Sequence, residues 1–548
     1  MWSELPTEKK EKYKLLITNF ASLSKVFSQK SSESNDNEIT PIVNSKFQET
    51  AFQKAFDAIS EDISNTSYDA SVKLTNKKKY LVGIKSFGHT SGYQKVAQFK
   101  SDSASDDWST LLTDIKKNLK TQEATEATEA TEANKLNENL YKKLALKVAG
   151  LRNARIASSK AQTKGFNGSD IDVEVIYHVL MPFNKNNKPQ ILVGQIPYLP
   201  IDTNNICIIK NKNNKYPQNF EFTDGQHNYR YTSSDSQLLM DFKNREIVVE
   251  TWDINYLNNP FYFFENLHQF STSTSHITTP IKEDNTQIKD EITDSVSWMI
   301  PNEDGKLETS SGFNAFDGST KLSTVDRQDR INTIQVKYQP LIPKPQLDLI
   351  ISSLERILLT SWTQSAEDID KRKGLRLNLI QDTNLLKNQP LLNEIEKLVF
   401  RSSTEMYIPI PESKNFHKNR PDFFGKNIGT FETQSSKLAL PKDQRKFKLE
   451  FIPSGNVIES YINQDSGKAI QSINNQDILG RWILWEVFQL KERELLTSQK
   501  LDDIGLNGIR LIKFKDEMRG IGLEFIWIDE ENPPQDAIGW VAKNKKDA

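Results

Sequence analysis

The sequence predicts an α+β protein with two or three domains. A chain of 548 residues is long enough for that number of separate hydrophobic cores. The spacing of Phe47, Phe52 and Phe56 indicates an amphipathic helix, and an alternating run at 68–74 and an apolar run at 80–87 indicate two strands after it. The proline-rich run 340–345 then interrupts the chain before further helices and strands. We therefore expect an amino-terminal α/β unit and a separate carboxy-terminal unit.

Composition limits the class of protein. The 71 basic and 73 acidic side chains give a formal net charge of -2, so any surface for a polyanion must be local. The one cysteine, Cys207, excludes an internal disulfide framework and a cysteine-based zinc site, and it suits a reducing cytoplasm. The amino terminus lacks the apolar core of a signal peptide, and no apolar run could span a bilayer. We expect a soluble, cytoplasmic protein with no membrane partner.

The first polar motif lies between residues 47 and 100. Glu49 stands on the predicted helix, on a different face from the phenylalanines. Asp69 is near the start of the first strand-like run, and Lys85 is the one charge in the apolar run that follows. Because a lysine that leaves water needs compensation, we expect a carboxylate or a metal-bound phosphate near Lys85.

Two neighbouring segments have simpler interpretations. Lys77, Lys78 and Lys79 are expected to form a solvated turn between the two strands. The glycines and hydrogen-bond donors of residues 88–95 could approach a phosphate. The alternative for the whole stretch is an ordinary α/β core with a surface lysine on one strand.

The order of helix glutamate, strand aspartate, hairpin and strand lysine resembles the catalytic core of PD-(D/E)XK nucleases. That resemblance implies acids that hold Mg²⁺, and a lysine that activates the attacking water and offsets charge on the phosphate. It assigns catalysis to Glu49, Asp69 and Lys85, with Asp69 and Glu49 as the metal ligands. The family's second acid stands two residues before the lysine, where this sequence has Gly83. The missing carboxylate must come from elsewhere or be absent.

A second candidate metal site consists of Asp170, Asp172 and Glu174. Side chains alternate with a period of two along a strand, so these three carboxylates share one face. A solvated strand face is the favoured interpretation, although the cluster could supply the acid that Gly83 lacks. His178 lies on the same side and is expected to be a hydrogen-bonded structural group.

The middle of the chain carries mainly structural signals. Arg152 and Arg155 lie near the end of a predicted helix, where they could face DNA phosphates or, more commonly, complement the helix dipole. Short apolar runs between residues 190 and 242 predict antiparallel strands with a hairpin turn at 223–226. The aromatic run 260–264 is typical of a core or an interface. The sequence has no Walker-type glycine-rich loop, so ATP dependence is not expected.

Several blocks in the carboxy-terminal third form an ordered series. The blocks are Tyr407-Ile408-Pro409-Ile410-Pro411, His417-Lys418, Pro421 with Phe423-Phe424, Ser466-Gly467-Lys468-Ala469-Ile470, Leu479-Gly480-Arg481-Trp482-Ile483-Leu484 and Leu495-Leu496-Thr497. Together they resemble the carboxy-terminal domain of NgoFVII-family restriction endonucleases. That domain is similar to the B-three DNA-binding pseudobarrel of plant transcription factors. The match covers roughly residues 403–528, and several blocks in order are more specific than any single motif.

This second resemblance implies two arms that grip the major groove of DNA. The residues of the amino-terminal arm are Ser413, Lys414, Asn415, His417, Lys418 and Arg420. The residues of the opposite arm and its supports are Gln464, Ser466, Lys468, Gln471 and Arg481. Asn, Gln, Arg and Lys can pair with base edges, and the remaining cations suit phosphates. A β-barrel with ordinary solvated loops is the alternative, and Trp482, Trp485 and Phe488 are expected to belong to its core.

The two resemblances support one another, because a reading domain joined to a metal-dependent core is the arrangement of modular restriction endonucleases. We expect a PD-(D/E)XK-like α/β nuclease core with β-rich insertions at 1–340, a helical linker at 341–402 and a β pseudobarrel at 403–548. The expected activity is Mg²⁺-dependent, site-specific cleavage of double-stranded DNA, as in Type II restriction endonucleases, by a protein that could be a homodimer. The alternatives are a non-cleaving DNA-binding regulator, which Gly83 favours, and a protein-interaction scaffold.

Overall fold

The structure is a computed structural model, and it describes all residues other than 28–38, 61–67, 76, 101–107, 123–126, 168–170, 187, 210–217, 268–291, 320–321, 364 and 544–548. Its helices in chain order are α1 (Thr7–Ser22), α2 (Ser45–Phe56), α3 (Trp108–Gln122), α4 (Ala127–Lys164), α5 (Pro260–Glu265), α6 (Thr324–Tyr338), α7 (Lys344–Leu358), α8 (Ala366–Leu385), α9 (Gln389–Val399), α10 (Ser413–Asn419), α11 (Gln476–Gly480) and α12 (Ser498–Ile504). A π-helical segment, Arg481–Val487, follows α11 directly.

The strands in chain order are β1 (Ile59–Ser60), β2 (Ala70–Lys73), β3 (Lys78–Ser86), β4 (Gln94–Gln98), β5 (Asp172–Lys185), β6 (Lys188–Pro197), β7 (Cys207–Ile209), β8 (Phe220–Thr223), β9 (Asn228–Thr232), β10 (Gln237–Met240), β11 (Val248–Asp253), β12 (Ile292–Met299), β13 (Ile408–Pro409), β14 (Lys446–Phe451), β15 (Asn456–Asn463), β16 (Ala469–Ser472), β17 (Gly508–Phe514) and β18 (Ile521–Ile526). They form three sheets, so the chain is a mixed α+β protein, as the sequence predicts.

A six-stranded sheet organises the amino-terminal half, with strand order β1-β2-β3-β5-β6-β11. β2 and β3 form an antiparallel hairpin, and β3 runs parallel to β5. The connection between these parallel strands contains β4, α3 and α4, as a parallel pairing requires a long crossover. Tyr13 of α1 and Phe52 of α2 pack on one face of the sheet, whereas Leu144 and Val148 of α4 pack on the other.

A five-stranded antiparallel sheet follows, with order β4-β10-β9-β8-β7. Its Phe220 and Tyr231 join the same hydrophobic core as α4. The predicted hairpin turn lies between β8 and β9, where the Asp224 Oδ1 atom accepts hydrogen bonds from the N–H groups of Gln226 and His227 at 3.0 and 2.8 Å. Gly225 has a φ of +84°, a conformation that glycine adopts readily. The antiparallel strands and the turn are therefore confirmed.

The carboxy-terminal half contains a seven-stranded sheet with order β12-β17-β18-β14-β15-β16-β13. β14 runs parallel to β18, and the other pairings are antiparallel. β12 pairs with β17 over seven register positions, although β12 lies before the proline-rich run in the chain. The edge strands β12 and β13 are not paired with each other in the described chain, so this sheet is open.

Helices α6 to α9 lie between β12 and β13 in the chain and pack around a hydrophobic cluster of their own. Side-chain caps begin three of them, because Ser323, Ser365 and Asn388 accept the N–H groups of the residues three positions later. Such caps typically stabilise a helix by about 1 kcal/mol each. We call α6 to α9 the helical layer. In the chain, it is an insertion between two strands of one sheet.

The end of α4 contacts the carboxy-terminal sheet. The Trp482 indole donates to the carbonyl of Ala161 at 3.0 Å, and Trp482 and Phe488 are buried, as expected for core residues. The Lys79 ammonium donates to the carbonyls of Thr163 and Ser454 at 2.8 and 3.2 Å, and Lys79 is only 8% exposed. The predicted solvated turn is therefore confirmed for the exposed Lys77 and wrong for Lys78 and Lys79, because β3 begins at Lys78 and Lys79 joins the two halves.

Two further features concern the surface. The aromatic run of α5 is exposed, with Phe261 at 56% and Tyr262 at 62%, so it does not belong to the core. Among the described helices, none combines the length and the apolar character that crossing a membrane requires.

Candidate functional site

Asp69 lies directly before β2 and contacts the backbone of β3. Its N–H donates to the carbonyl of Val82 at 3.1 Å, and its carboxylate Oδ2 accepts the N–H of Ile84 at 2.5 Å. The carboxylate therefore lies beside the Gly83–Ile84 peptide group, one residue before Lys85. A carboxylate and a lysine are thus brought to the same end of the β2–β3 hairpin.

The first turn of α2 lies against the same end of β3. Asn44 caps this helix, since its side chain accepts the N–H of Phe47 at 2.9 Å. The amide nitrogen of Gln48 donates to the carbonyl of Lys85 at 3.3 Å, and Gln48 is fully buried. Glu49 follows Gln48 and forms an ion pair with Lys46 at 3.2 Å. The helix glutamate is therefore near the end of β3, but its partner is a helix lysine.

Gln48 was not among the predicted site residues. Its position four residues before Phe52 puts it on the apolar face of α2. A polar side chain on the buried stripe of a helix is the sequence signal that could have identified it.

Lys85 is half-buried at the end of β3. The structure describes no carboxylate within 4 Å of its ammonium group, so the expected carboxylate partner is not found in the described part of the chain. The other partner expected for Lys85 is a metal-bound phosphate, which a bound substrate would supply.

The position of the family's second acid is filled by an aromatic ring. A Cβ atom added to Gly83 would lie 2.7 Å from Cδ1 of Tyr177, which is the residue paired with Gly83 on β5. The Tyr177 ring stacks on Tyr198 with a centroid distance of 4.1 Å, and the guanidinium of Arg152 lies 4.2 Å from the Tyr198 ring. Burial raises the pKa of the Tyr177 phenol well above its ordinary value. A carboxylate at position 83 would therefore displace a packed ring.

Neither described member of the second candidate metal site supplies the missing acid. Asp170 lies outside the described residues, Asp172 is exposed, and Glu174 pairs with Lys78 at 3.1 Å. Glu174 is aligned with Tyr80 of β3. Lys85 is five residues further along that strand, about 17 Å away at the usual strand rise. In the described part of the chain no three His, Cys, Asp or Glu side chains form a group that could hold a metal ion.

The donors at the end of β3 nevertheless fit Mg²⁺. Magnesium is commonly held by one or two carboxylates together with substrate phosphates and water. One oxygen of the Asp69 carboxylate accepts the N–H of Ile84, and the Glu49 carboxylate pairs with Lys46. A site of two carboxylates is therefore compatible with the residues present.

Three other polar residues of this half have structural roles. His178 is 0% exposed, its Nε2 lies 3.2 Å from the Tyr13 hydroxyl, and burial lowers its pKa to about 3, so the structural prediction is confirmed. Arg152 donates to the carbonyl of Leu199 at 2.9 Å. Arg155 donates to the last carbonyls of α12 at 3.0 and 3.2 Å. Arg152 is buried, so it cannot contact a DNA phosphate, and Arg155 complements the dipole of a different helix.

The two predicted arms contact each other. The hydroxyl of Ser413 donates to the carbonyl of Ser466 at 3.1 Å, and the Nε2 of His417 lies 2.9 Å from the carbonyl of Gly467. Ser413 and His417 are both buried, and burial lowers the pKa of His417. Neither side chain can reach a base edge, so both act by holding α10 against the loop between β15 and β16.

The exposed arm residues form a basic and amide-bearing surface around that contact. They are Lys414, Asn415 and Lys418 on α10, and Gln464 and Lys468 on the loop between β15 and β16, with Ser466 half-buried. Lys and the side-chain amides can contact phosphates and base edges. We call these five exposed residues the arm surface.

The remaining predicted readers are occupied by protein partners. Arg420 donates to the carboxylate of Asp294 on β12 at 3.0 Å. The Gln471 side-chain oxygen accepts the hydroxyl of Tyr461 at 2.8 Å. Arg481 is exposed and pairs with Asp477, one turn earlier, at 3.1 Å. Arg420 and Gln471 therefore have partners within the protein, whereas the Arg481–Asp477 pair lies at the surface.

Comparisons with known proteins add no family. No protein-family model matches the chain, and no curated protein matches its sequence.

Proposed function

We propose that this protein is a Mg²⁺-dependent, site-specific endonuclease that cleaves double-stranded DNA. The observation that carries the proposal is the contact of the Asp69 carboxylate with the N–H of Ile84, directly before Lys85. An acid and a lysine at the end of one hairpin suit phosphodiester hydrolysis, in which a carboxylate holds a hard cation and a lysine meets the charge on the phosphate. The β2–β3 hairpin beside the parallel strand β5 is also compatible with a PD-(D/E)XK-like core.

The proposed mechanism assigns a role to each residue. Asp69 and Glu49 would hold Mg²⁺, which would polarise the scissile phosphate and lower the pKa of a bound water. Lys85 donates hydrogen bonds to the phosphate oxygens, on which negative charge develops. Gln48 fixes the backbone of Lys85, because its amide holds the carbonyl of that residue. The loss of the family's second acid at Gly83 leaves this site with fewer carboxylates than the family pattern.

In this proposal the arm surface reads the DNA. Lysines and amides that project from two contacting segments suit simultaneous contacts with phosphates and base edges. The open seven-stranded sheet that carries both segments is compatible with a pseudobarrel of the B-three kind. The buried His417–Gly467 contact supports a fixed distance between the two halves of the reading surface.

A non-cleaving, sequence-specific DNA-binding regulator is the second candidate function. The specific observation that favours it is the Tyr177 ring over Gly83, which leaves no space for the acid of an active family member. In this case the amino-terminal core would support the reading domain without catalysis.

Incubation of the full chain with mixed-sequence plasmid separates the two candidates. The endonuclease cleaves at defined sites with Mg²⁺ and does not cleave with EDTA. Asp69→Asn and Lys85→Ala should abolish cleavage while leaving the affinity for DNA unchanged. Lys73→Ala, at an exposed position of β2, is the matched control and should cleave normally. Sequence-dependent binding without cleavage would support the regulator, and indifference to sequence would contradict both candidates.

A further inference from the structure

Six cationic side chains lie where the helical layer meets the segments 317–319 and 400–405. Hydrogen bonds to backbone carbonyls hold three of them at this place. Arg376 donates to Asp317 at 3.0 Å, and Arg401 donates to Ser319 at 3.2 Å. Arg493 donates to the carbonyl of Arg401 at 3.3 Å. Arg372 is one helical turn before Arg376 on α8. The six residues are Arg327, Arg372, Lys373, Arg376, Arg401 and Arg493.

One aromatic ring brings two of these guanidinium groups close together. The guanidinium carbons of Arg376 and Arg493 lie 4.6 and 5.0 Å from the ring centroid of Phe400. A cation over an aromatic face is favourable, but this contact does not neutralise its charge. The ring therefore holds two like charges near each other, with Arg376 only 4% exposed.

The carboxylates at this place are too few for the cations. Asp317 pairs with Lys373 at 3.3 Å, and Glu405 pairs with Arg401 at 3.2 Å. The other four arginines have no carboxylate within 4 Å in the part of the chain that the structure describes. These four are Arg327, Arg372, Arg376 and Arg493, and the Nε atom of each is buried without a hydrogen-bond partner among the described residues.

The pKa shifts of two arginines also indicate an excess of positive charge in the cluster. Burial lowers the pKa of Arg372, and the charge of Arg327 lowers it further. Burial also lowers the pKa of Arg376. The Asp317 carboxylate raises this pKa, whereas the positive charges of Arg372 and Arg493 lower it further. Because an arginine in a protein stays protonated, the imbalance cannot be relieved by loss of a proton. Backbone carbonyls accept from Arg327, Arg376 and Arg493, but only an anion would supply the missing negative charge.

We propose that Arg327, Arg372, Arg376 and Arg493 form a binding site for a phosphate group. A tetrahedral oxyanion offers several acceptors to guanidinium Nε and Nη atoms, and Arg–phosphate hydrogen bonds are among the strongest that proteins form. Arg327, Arg372 and Arg493 are half-buried, so part of each side chain is open to solvent. The phosphate belongs either to a DNA backbone or to a free phosphate or nucleotide. This site does not depend on the proposed nuclease activity.

The first test compares sodium phosphate with sodium chloride at equal ionic strength, with the full chain and calorimetric titration of inorganic phosphate. Phosphate should bind saturably and raise the melting temperature above its value in chloride. Arg372→Gln and Arg493→Gln should each weaken phosphate binding by about tenfold or more. The matched control is Arg356→Gln, an exposed arginine of α7 in the same helical layer, which should bind phosphate normally.

A second measurement separates loss of the site from loss of folding. In chloride alone, Arg372→Gln should melt at the same temperature as the wild type or higher, because one of several repelling charges is removed. In saturating phosphate the same variant should melt lower than the wild type. A lower melting temperature in chloride would overturn the charge argument, since it would show that Arg372 stabilises the protein without an anion.

Duplex DNA then identifies the source of the phosphate. If the DNA backbone occupies the site, Arg372→Gln lowers the slope of log Kd against log salt by about one, and saturating DNA removes the binding of inorganic phosphate. If a free phosphate or nucleotide occupies it, the slope is unchanged and phosphate still binds to the DNA-saturated protein. Both results support the site. Equal melting temperatures in phosphate and chloride, or equal phosphate affinity in the wild type and both variants, would overturn it.

Discussion

The close packing of Gly83 against Tyr177 leads to a prediction about stability. In Gly83→Ala the added Cβ would lie 2.7 and 2.8 Å from two ring atoms of Tyr177. The ring cannot move aside at low cost, because Tyr177 is buried and packs on Tyr198 and Phe242 with centroid distances of 4.1 and 5.0 Å. Overpacking of this kind costs about 1 to 3 kcal/mol. The lower conformational entropy of unfolded alanine offsets roughly 0.4 to 1 kcal/mol, so the net loss should be about 1 to 2 kcal/mol.

Hydrogen exchange of the β3 and β5 amides is the suitable assay, because a chain with several cores need not unfold in one step. Gly83→Ala should lower the protection of these amides by about 1 to 2 kcal/mol in opening free energy. Gly92→Ala is the control, since nothing lies within 4 Å of its added Cβ and its φ is not left-handed. That variant should leave the protection of β3 and β5 unchanged.

A double-mutant cycle identifies the ring as the cause. Tyr177→Ala alone should cost about 3 to 5 kcal/mol, as for truncation of a buried aromatic side chain. In that background Gly83→Ala should cost little or nothing, which gives a coupling energy of about 1 to 3 kcal/mol. Equal stability of Gly83→Ala and Gly92→Ala, or an unchanged cost of Gly83→Ala without the ring, would refute the reasoning.

Three other perturbations test different parts of the molecule. Lys79→Met should lower the free energy of unfolding by about 1.5 to 3 kcal/mol in a denaturation series, because one carbonyl of α4 and one of the β14–β15 turn lose a charged donor. Lys77→Met, at an exposed position, is the control and should leave the free energy of unfolding unchanged. Burial lowers the pKa of His178 to about 3 from 6.5, so the unfolded chain binds a proton that the folded chain does not. Stability should therefore fall by about 2 kcal/mol from pH 6.5 to about pH 5, and His178→Phe should reduce that fall in pH-dependent hydrogen exchange of β5. Lys414→Ala and Lys468→Ala should each weaken DNA binding and lower its salt slope by about one, and an unchanged slope in filter-binding titrations would contradict the arm surface.

Some features could be predicted from the sequence because they depend on residues close together in the chain. The alternating run of β2, the apolar run of β3 and the apolar stripe of α2 are local patterns, and the three elements form where those patterns occur. The turn at Asp224 and Gly225 follows from local turn chemistry for the same reason. Asp69 and Lys85 lie towards the same end of β3 because a short hairpin leaves few alternative registers.

The sequence also contained the polar residues of the carboxy-terminal arms, but it could not divide them by role. Only the packed structure separates the buried Ser413 and His417 from the exposed Lys414 and Lys468. The reason is that α10 is too short for a clear amphipathic pattern, so the loop against which it packs decides which side chains reach solvent.

The tertiary structure alone decided the remaining features, because each depends on residues far apart in the chain. Tyr177 fills the space beside Gly83 through the parallel pairing of β3 with β5, and Lys79 is buried by a turn near residue 454. β12 joins β17 across more than two hundred residues, and the cluster around Arg376 and Arg493 forms where two distant segments meet. Local periodicity fixes which face of an element is apolar, whereas strand pairing and side-chain packing between distant segments fix which partner covers that face.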